Sequence, residues 1–289
     1  MTSENSNILV PIDFTDHSFK AAIVAIHMAK RLAASQVTLF HALSNNEANL
    51  ANQLIEFNDK LRKALENSEL AGIKTSFQLA VGVPEECIKT FAMQNPPCLI
   101  VMATRSKVQK QKDMIGSVCA EFIERTEWPV LVVPAEIPVK RVLKPLKVAY
   151  ATSFSQRDIS ELDDMMRILK YWTDSIDKSL SVSFVHIKSD LDSETLQSRI
   201  DSLKSYMQLS FPDLDFSIHI LDKHEERTID LRLLEDGTAL FNTLQNFIKT
   251  YGIDLLTIKN SKRGLFSRMF VGSTATKIIN EGDISLLVL

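Results

Sequence analysis

The sequence predicts an α/β protein made of two tandem copies of one domain, each with a parallel sheet that carries helices on both faces. Short apolar runs alternate with stretches of helical periodicity, and the same order of elements occurs twice along the chain. With 289 residues, 45% of them hydrophobic and 24% charged, the chain is long enough for two ordinary cores. Strands that alternate with helices of this length favour parallel pairing with both sheet faces covered.

The first half of the chain predicts five strands joined by four helices. Thr15 or Asp16 can cap the first helix, and Gly72 ends the second. The strands are predicted at residues 8–12, 36–43, 74–81, 99–102 and 130–133, and the helices at 18–33, 48–71, 84–94 and after Gly116.

A stretch rich in proline and basic residues, 134–145, separates the two halves and indicates a linker. We therefore predict a first domain at residues 1–138, a linker at 139–145 and a diverged second domain at 146–289. A polar insertion at 222–236 belongs to the second half alone, and we expect it to border the second cleft. The second half repeats the alternation, with strands at 146–151, 180–187, 216–221, 255–258 and the C-terminus and helices at 158–172, 193–209, 238–251 and after the closing turn.

The repeat is visible in the letters as well as in the pattern. VPIDFT aligns with YATSFS, VTLFHA with VSFVHI, CLIVM with DLLTI, and IGSVCAEFI with VGSTATKII. The first pair places Phe14 on Phe154, and the second places His41 on His186. Four blocks in the same order indicate tandem duplication of one domain.

Composition and motifs exclude several classes of protein. The formal net charge of −3 and the pI of about 6.1 argue against nucleic acid or anionic lipid as the main partner. No apolar run approaches the roughly 18 residues of a membrane span, and the first residues do not resemble a signal peptide, so we expect a cytoplasmic protein. A Walker P-loop, a GxGxxG after the first strand and an SGGxDS loop are all missing, which argues against a dehydrogenase or an ATP-consuming ligase.

The cysteines and histidines predict neither metal binding nor catalysis. Cys87, Cys98 and Cys119 lack CxxC spacing, so we expect reduced core residues, with Cys119 buried against the sheet. The six histidines form no HxxxH or HExxH pair, and we expect His41 and His186 to be structural.

Two polar features lie where a parallel sheet binds ligands, beyond the carboxyl ends of its strands. The Gly116-Ser117 turn before a helix could hold a phosphate on backbone N–H groups, or Ser117 could simply cap that helix. Asp13, at the end of the first strand, could contact a ligand there or cap the following helix. The basic side chains of the loop between, Lys107, Lys110 and Lys112, could neutralise phosphates or be solvated.

Taken together, the strand ending VPIDFT, the strand ending FHAL, the segment VGVPEECI and the IGSV turn followed by WPVLVVP resemble the universal stress protein family. The resemblance covers nearly the whole chain as two copies and is strongest at residues 7–134. It implies open five-stranded sheets of strand order 3-2-1-4-5. It also implies that the last strands of the two copies pair as an intramolecular pseudo-dimer, with a homodimer optional.

Family members that bind ATP carry Gly, two residues, Gly, nine residues and Gly-Ser or Gly-Thr after strand four. The first copy keeps Gly116 and Ser117 but has Ala103 and Ser106 at the leading glycine positions, and the second has Lys259 and Lys262 there. The family's aspartate after strand one is matched by Asp13 and replaced by Ser153 in the second copy, so we expect the first half to be the better site. The resemblance implies candidate nucleotide contacts at Pro11, Asp13, Ala42, Met102, Ala103, Arg105, Ser106, Gly116, Ser117 and Val118. A weaker second set comprises Ser153, Lys259, Lys262, Gly272, Ser273 and Thr274.

The sequence therefore predicts a cytoplasmic stress-response protein that acts through small-molecule or protein binding, with at most weak adenine-nucleotide binding in the first half. No catalytic residue or metal ligand is assigned, and a non-enzymatic role is favoured. Its one candidate cofactor is ATP or another adenine nucleotide, with Mg²⁺ if bound. The alternative is a module that binds or slowly hydrolyses ATP at the first-half site, and a third reading is another small anion or an apolar ligand in the altered cleft.

Overall fold

A computed structural model describes residues 7–43, 49–66, 72–104, 118–154, 156–172, 180–187, 192–221, 238–259 and 284–289. The chain divides into two compact units, Met1–Leu143 and Lys144–Leu289. The predicted insertion at 222–236 and the turn and helix that were expected to precede the last strand lie outside the described residues. Within the described part, no helix is both long enough and apolar enough to cross a membrane.

The first unit forms a parallel sheet of order β3-β2-β1-β4-β5, so the predicted fold and the strand order that the resemblance implied are confirmed. Its elements are β1 (Asn7–Pro11), α1 (Asp16–Arg31), β2 (Gln36–Leu43), α2 (Leu50–Leu65), β3 (Lys74–Val81), α3 (Pro84–Gln94), β4 (Leu99–Ala103), α4 (Val118–Arg125), β5 (Val130–Val133) and the one-turn helix α5 (Val139–Val142).

The second unit repeats this arrangement. Its sheet has the order β10-β9-β6-β7-β8, which is the same order read from the other edge, and every described pair is parallel. Its elements are β6 (Lys147–Ala151), α6 (Gln156–Trp172), β7 (Ser181–Ile187), α7 (Ser193–Ser210), β8 (Asp215–Leu221), α8 (Thr238–Tyr251), β9 (Leu255–Ile258) and β10 (Ser285–Val288).

The central strands consist almost entirely of apolar residues because helices cover both faces of the sheet. The first four residues of β1 and of β4 are buried, and so is every residue of β9. β3 is an edge strand, and each of its residues is half-buried or exposed. The buried surface of α1 is rich in alanine, which lets the helix approach the sheet closely.

The second helix is shorter than the sequence predicted. α2 ends at Leu65, and Glu66 has left the helical conformation with ψ of 131°. Gly72 therefore does not end this helix, and residues 67–71 lie outside the described residues. Periodic apolar residues carry no information about where the backbone turns, so the helix end was placed too late.

The segment predicted as a linker packs against the first unit. The Lys20 Nζ donates to the carbonyls of Pro134 at 2.9 Å and Ala135 at 3.0 Å. About three turns further along α1, Arg31 Nη1 donates to the Leu143 carbonyl at 2.8 Å, and Val142 is buried. The division between the units falls inside the predicted linker, but its first residues form α5 rather than a free connection.

The cysteines differ from the expectation of three core residues. Cys119 is buried as predicted, Cys87 is half-buried, and Cys98 is exposed. Cys98 is in the turn that precedes β4, where its backbone N–H donates to the Asn7 carbonyl at 2.9 Å. The backbone of this residue belongs to the sheet while its side chain faces solvent.

Candidate functional site

The crevice of the first unit opens at the carboxyl ends of β1 and β4. In the order 3-2-1-4-5 these two strands are adjacent, with Ile8 opposite Leu99, and the chain leaves them toward opposite edges of the sheet. Loops diverge at such a point and leave room for a ligand. Pro11 and Ala42 are half-buried at the ends of β1 and β2, and Ala103 is half-buried at the end of β4.

Asp13 holds the turn between β1 and α1 together. Its Oδ1 accepts from the Thr15 hydroxyl at 2.6 Å and from the Thr15 N–H at 3.2 Å. Thr15 is the N-cap of α1, because its Oγ1 accepts from the Ser18 N–H. Of the two predicted caps the structure therefore selects Thr15, and Asp13 orients it. The Asp13 side chain remains exposed at the mouth of the crevice.

A phenylalanine in left-handed backbone conformation follows Asp13. Phe14 has φ of 61°, which is uncommon for a residue with a bulky side chain. Its ring centroid lies 4.6 Å from that of His41, and the His41 Nδ1 donates to the Ile12 carbonyl at 2.7 Å. The contacts of the ring and the hydrogen bond fix the end of β1 and hence the position of Asp13.

The second unit has the same arrangement of a phenylalanine with positive φ packed on a histidine, which we call the clamp of phenylalanine and histidine. Phe154 has φ of 54°, its ring centroid lies 5.3 Å from that of His186, and His186 Nδ1 donates to the Thr152 carbonyl at 3.0 Å. Sequence reasoning aligned these residues and expected structural histidines. The sequence did not reveal the positive φ of these phenylalanines. Its only signal was that a phenylalanine follows Asp13 in one copy and Ser153 in the other.

Two hydrogen bonds join the end of β4 to the end of β5 and the residues that follow it. The Thr104 N–H donates to the Val133 carbonyl at 3.0 Å, and the Thr104 hydroxyl accepts from the Ala135 N–H at 3.3 Å. Met102 is buried, so of the predicted contacts on this strand only Ala103 reaches the crevice. Val118 is half-buried as the first residue of α4, and the remaining predicted contacts, Arg105, Ser106, Gly116 and Ser117, lie outside the described residues.

A lysine of α1, Lys20, is half-buried against the residues that follow β5. Lys20 donates to two carbonyls after β5, and burial lowers the pKa of its ammonium below the ordinary value, with Glu136 acting in the opposite direction. Sequence reasoning missed Lys20, because a lysine in an amphipathic helix gives no sign that it reaches a distant carbonyl.

The crevice of the second unit lies between β6 and β9. Ser153 is half-buried after β6, and its carbonyl accepts from Arg199 Nη1 of α7 at 3.4 Å. Lys259 follows β9 directly, and its ammonium nitrogen is withdrawn from solvent. The other predicted contacts, Lys262, Gly272, Ser273 and Thr274, lie outside the described residues. Among the residues that the structure describes, no three histidine, cysteine or carboxylate side chains come together as metal ligands.

Two open parallel sheets, each with polar groups at the carboxyl ends of its first and fourth strands, define a protein of the doubly wound α/β class. Comparison with known proteins then gives the family. The model of the universal stress protein family matches residues 4–134. A universal stress protein of Methanocaldococcus jannaschii is 32% identical over 136 residues, which are 44% of this chain and 80% of that protein. The chain belongs to the universal stress protein family.

Further relatives agree with this assignment. A second universal stress protein of Methanocaldococcus jannaschii is 26% identical over 151 residues, with 44% of this chain and 93% of that protein covered. The crystal structure of a universal stress protein from Archaeoglobus fulgidus matches 98% of this chain and 95% of its own, at 17% identity and a TM-score of 0.65. A functionally unknown protein from Pseudomonas aeruginosa matches 99% of this chain and 92% of its own, at 15% identity and a TM-score of 0.64. At these identities the structural likeness concerns the fold.

Proposed function

We propose that the first unit binds an adenine nucleotide with at most weak affinity, and that the chain is a cytoplasmic stress-response protein acting through small-molecule or protein binding. The observation that carries the nucleotide proposal is the exposed Asp13 carboxylate at the mouth of the β1–β4 crevice, in a turn that Thr15 and His41 hold in place. A fixed carboxylate at this point is a suitable acceptor for the hydroxyl or amino groups of a nucleoside.

Two features argue for weak affinity. Asp13 Oδ1 already accepts two hydrogen bonds from Thr15, so a ligand competes for that oxygen or uses Oδ2. Ala103 stands where the nucleotide-binding pattern has its first glycine, and its methyl group keeps a phosphate farther from the backbone. The crevice therefore favours the nucleoside part of the ligand over the triphosphate.

Thermal unfolding with and without adenosine or MgATP tests this proposal. A ligand at one hundred times its Kd stabilises a protein by about 2.7 kcal/mol, and one at ten times by about 1.4 kcal/mol, so millimolar affinity is measurable. We expect an increase in Tm for the wild type and its loss in Asp13→Ala. The matched control is Asp59→Ala, which removes an exposed carboxylate of α2 outside the crevice and should leave the increase unchanged.

Mass spectrometry of the purified chain under native conditions provides an independent measurement. A co-purified adenine nucleotide that disappears in Asp13→Ala supports the proposal. If adenosine increases the Tm of Asp13→Ala as much as that of the wild type, the nucleoside binds elsewhere and the proposal is rejected.

A further inference from the structure

We propose that the chain forms a homodimer in which β3 of one copy pairs antiparallel with β3 of a second copy. The interacting surface, which we call the β3 edge, comprises β3 (Lys74–Val81) and Ile55 of α2. Nucleotide binding at Asp13 has no part in this contact, so the two proposals are tested separately.

The strand β3 ends the sheet of the first unit. On one side it pairs with β2 along its whole length, from Lys74 opposite Gln36 to Val81 opposite Leu43. Among the strands that the structure describes, none pairs with its other side. An edge strand presents a row of backbone N–H and C=O groups to which another strand can bind.

The β3 edge lacks the features that usually prevent such pairing. Residues 75–83 contain neither a charged residue nor a proline. Leu79 is 43% exposed and Val81 is 69% exposed. The edge strand of the second unit, β8, instead contains Asp215 and His219. Because charged residues and proline protect edge strands from association, the uncharged and apolar β3 favours it.

The backbone of β3 shows which residues face an added strand. The Gly82 N–H donates to the Leu43 carbonyl at 3.2 Å, so it points toward β2. Successive residues of a strand direct their backbone groups alternately to its two sides. The odd-numbered residues of β3 therefore direct their N–H and C=O groups away from β2. These residues are Thr75, Phe77, Leu79 and Val81.

One antiparallel register pairs all of these outward-facing residues with one another. With the twofold axis at Gln78, Phe77 is opposite Leu79 of the second copy, and Thr75 is opposite Val81 of the second copy. Each such pair exchanges two backbone hydrogen bonds. With the axis at any other residue, an outward-facing residue is opposite a residue beyond the end of β3. The strand is therefore complementary to itself, as a twofold interface requires.

The side chains in this register also fit together. The ring centroid of Phe77 lies 6.3 Å from that of Phe57 in α2, so the odd-numbered side chains are on the α2 face of the sheet. On that face, Phe77 meets Leu79 of the second copy, and Thr75 meets Val81. Cross-strand pairs of aromatic, aliphatic and β-branched residues stabilise a sheet, and these pairs cover the exposed side chains of β3.

The even-numbered side chains of β3 lie on the face that α3 covers. Gln78 is opposite Phe40 in the parallel pair of β2 and β3, so their side chains share a face. The ring centroid of Phe40 lies 5.1 Å from that of Phe91 in α3. Lys74, which is four residues before Gln78, is therefore on the α3 face.

Charge complementarity favours a second copy of this chain as the partner. In the proposed register, Lys74 is opposite Gly82 of the second copy. Glu86 is four residues beyond Gly82, exposed in the first turn of α3 and thus on the same face as Lys74. The twofold axis brings Lys74 of each copy near Glu86 of the other, so opposite charges meet at both ends of the paired strands.

Ile55 extends the apolar surface onto α2. Lys60 forms an ion pair with Asp16 and lies over the ring of Phe19, so its side of α2 faces α1. Ile55 is about 140° around the helix from Lys60. It therefore lies on the flank that faces away from α1, where it is 62% exposed. In the dimer, both copies of α2 are on the same face of the joined sheet, and Ile55 faces the α2 of the second copy.

A cysteine at Gln78 tests the register. Facing residues of a pair without hydrogen bonds have Cα atoms about 4.5 Å apart, which a disulfide can span. In the full chain with Cys87→Ser and Cys98→Ser, we expect Gln78→Cys to form a disulfide-linked dimer when oxidised with copper–phenanthroline. The matched control is Lys74→Cys, on the same face but about 27 Å from its counterpart at 3.4 Å per residue. It should stay monomeric on a non-reducing gel.

Sedimentation equilibrium of the full chain measures the dimer without cross-linking. We expect the wild type to dimerise at micromolar concentration. Leu79→Pro should raise the dimer Kd at least tenfold, because it removes an N–H that faces away from β2 and leaves the β2–β3 hydrogen bonds in place. Val81→Lys should raise it severalfold and serves if Leu79→Pro unfolds, as judged by circular dichroism. The matched control is Ile220→Lys, since Ile220 is 41% exposed on β8, and its dimer Kd should equal that of the wild type.

A charge exchange tests the partner. Lys74→Glu should raise the dimer Kd severalfold, because it places two carboxylates near each other at both ends of the paired strands. Adding Glu86→Lys to that variant restores opposite charges and should return the Kd to near the wild-type value. A merely structural effect of Lys74 would not be reversed in this way.

Three results would overturn the proposal: a wild type that stays monomeric, equal cross-linking of Gln78→Cys and Lys74→Cys, or an unchanged dimer Kd in both Leu79→Pro and Val81→Lys. The dimer Kd of Asp13→Ala should equal that of the wild type. Absence of adenosine binding by an intact dimer rejects only the nucleotide proposal, and adenosine binding by a monomer rejects only the dimer.

Discussion

The turn after β1 joins a helix cap to a candidate binding residue through a single hydroxyl. Thr15 Oγ1 accepts from the Ser18 N–H and donates to Asp13 Oδ1. The same side chain therefore stabilises α1 and orients the carboxylate at the crevice. Changes at Thr15 should affect stability and ligand binding together.

Removing that hydroxyl tests the coupling. We expect Thr15→Ala to lower the free energy of unfolding by about 1 kcal/mol, the usual cost of a lost N-cap, and to weaken adenosine binding. Thr15→Ser keeps the hydroxyl and should restore both. Asp192→Ala is the matched control, since Asp192 caps α7 through the Thr195 N–H at 2.8 Å and should reduce stability without changing adenosine affinity. Urea unfolding and titration calorimetry measure the two effects, and a change in stability alone would show that Asp13 does not need Thr15.

The second copy carries a buried hydroxyl where the first has a methyl group. Thr257 in β9 is fully buried, and its Oγ1 has no hydrogen-bond partner in the described part of the chain. The equivalent residue of β4 is Val101, which is also fully buried. A buried polar group without a partner costs about 1–3 kcal/mol. We therefore expect the Thr257 hydroxyl to destabilise the second unit relative to a methyl group at the same place.

Exchanging these two residues in both directions measures that cost. We expect Thr257→Val to raise the free energy of unfolding by about 1 kcal/mol, and Val101→Thr to lower it by about 1–3 kcal/mol. Trp128 belongs to the first unit and Trp172 to the second, so variants that keep one tryptophan report each unit by fluorescence during urea unfolding. A destabilised Thr257→Val variant would mean that the hydroxyl is satisfied.

A histidine at the edge of the second sheet makes stability depend on pH. His219 of β8 lies against Phe247 and Tyr251, with ring centroids at 4.9 Å and 4.7 Å, and accepts or donates a hydrogen bond with Ser217 at 2.9 Å. Burial lowers the pKa of its imidazole below the ordinary value of 6.5. The folded state therefore binds the proton more weakly than the unfolded state does.

Because the pKa of His219 is lowered in the folded state, its contribution to stability depends on pH in a defined direction. The contribution of His219 is fully present above about pH 6.5, and it is lost as the pH falls through the lowered pKa of the folded state. We expect the stability of the second unit to decrease between pH 7 and 5, and to decrease less in His219→Gln, by urea unfolding in a Trp128→Phe background. His27→Gln is a useful control, since His27 has a lowered pKa in the first unit and should leave the pH profile of the second unit unchanged. Identical profiles for wild type and His219→Gln would contradict the assignment.

At the scale of elements, α5 shows how a segment that reads as a linker becomes part of a core. Its prolines and basic residues predict an exposed connection, yet Val142 is buried, and the Leu143 carbonyl accepts from Arg31. The Arg31 side chain is half-buried, so this charge-assisted hydrogen bond is shielded from water. Such bonds contribute about 1.5–3 kcal/mol, more than exposed ion pairs.

We expect Arg31→Met to lower the free energy of unfolding of the first unit by about 1–2 kcal/mol, because Met keeps the apolar stem and removes the donor. Arg62→Met is the matched control. Arg62 is exposed near the end of α2, 3.9 Å from Asp59, and exposed pairs of this kind contribute less than about 1 kcal/mol. Urea unfolding followed through Trp128 gives both values, and equal effects would indicate that α5 is not held by Arg31.

The bounds of helices and strands were predictable where a clear apolar or helical periodicity was flanked by residues that end such an element. β2, β3, α3, β5, α8 and β9 have the predicted bounds, because proline, glycine or polar residues flank each apolar or periodic run. The end of α2 was not predictable, since the departure at Glu66 follows from backbone geometry that no neighbouring proline or glycine marks.

The candidate site likewise has a part that the sequence predicts and a part that it does not. The apolar pattern was enough to place Asp13 at the end of the first strand, whereas Ala103, Ser153 and Lys259 were expected at the crevices from the resemblance to the family. The contacts that orient them were not readable, because Thr15, His41 and Arg199 act through hydrogen bonds that depend on tertiary packing. Positive φ at Phe14 and Phe154 likewise accompanies ring contacts with histidine, which residue type alone does not indicate.

At the scale of the whole molecule, the two units share one framework and differ in the residues at the ends of their first and fourth strands. Both units have the same strand order, the same pairing register beside the crevice and the same clamp of phenylalanine and histidine. The residues at these strand ends differ instead, with Asp13 and Ala103 in the first unit and Ser153 and Lys259 in the second.

Salt tests whether the first crevice binds the uncharged nucleoside. The Debye length falls from about 10 Å at 0.1 M salt to about 3 Å at 1 M, and this screening acts on charged ligands. Adenosine is uncharged, and its hydrogen bonds to Asp13 are not screened in this way. We therefore expect the adenosine Kd to change less than twofold between 0.05 M and 0.5 M sodium chloride in titration calorimetry. A several-fold change would mean that adenosine binding in the first unit depends on charge.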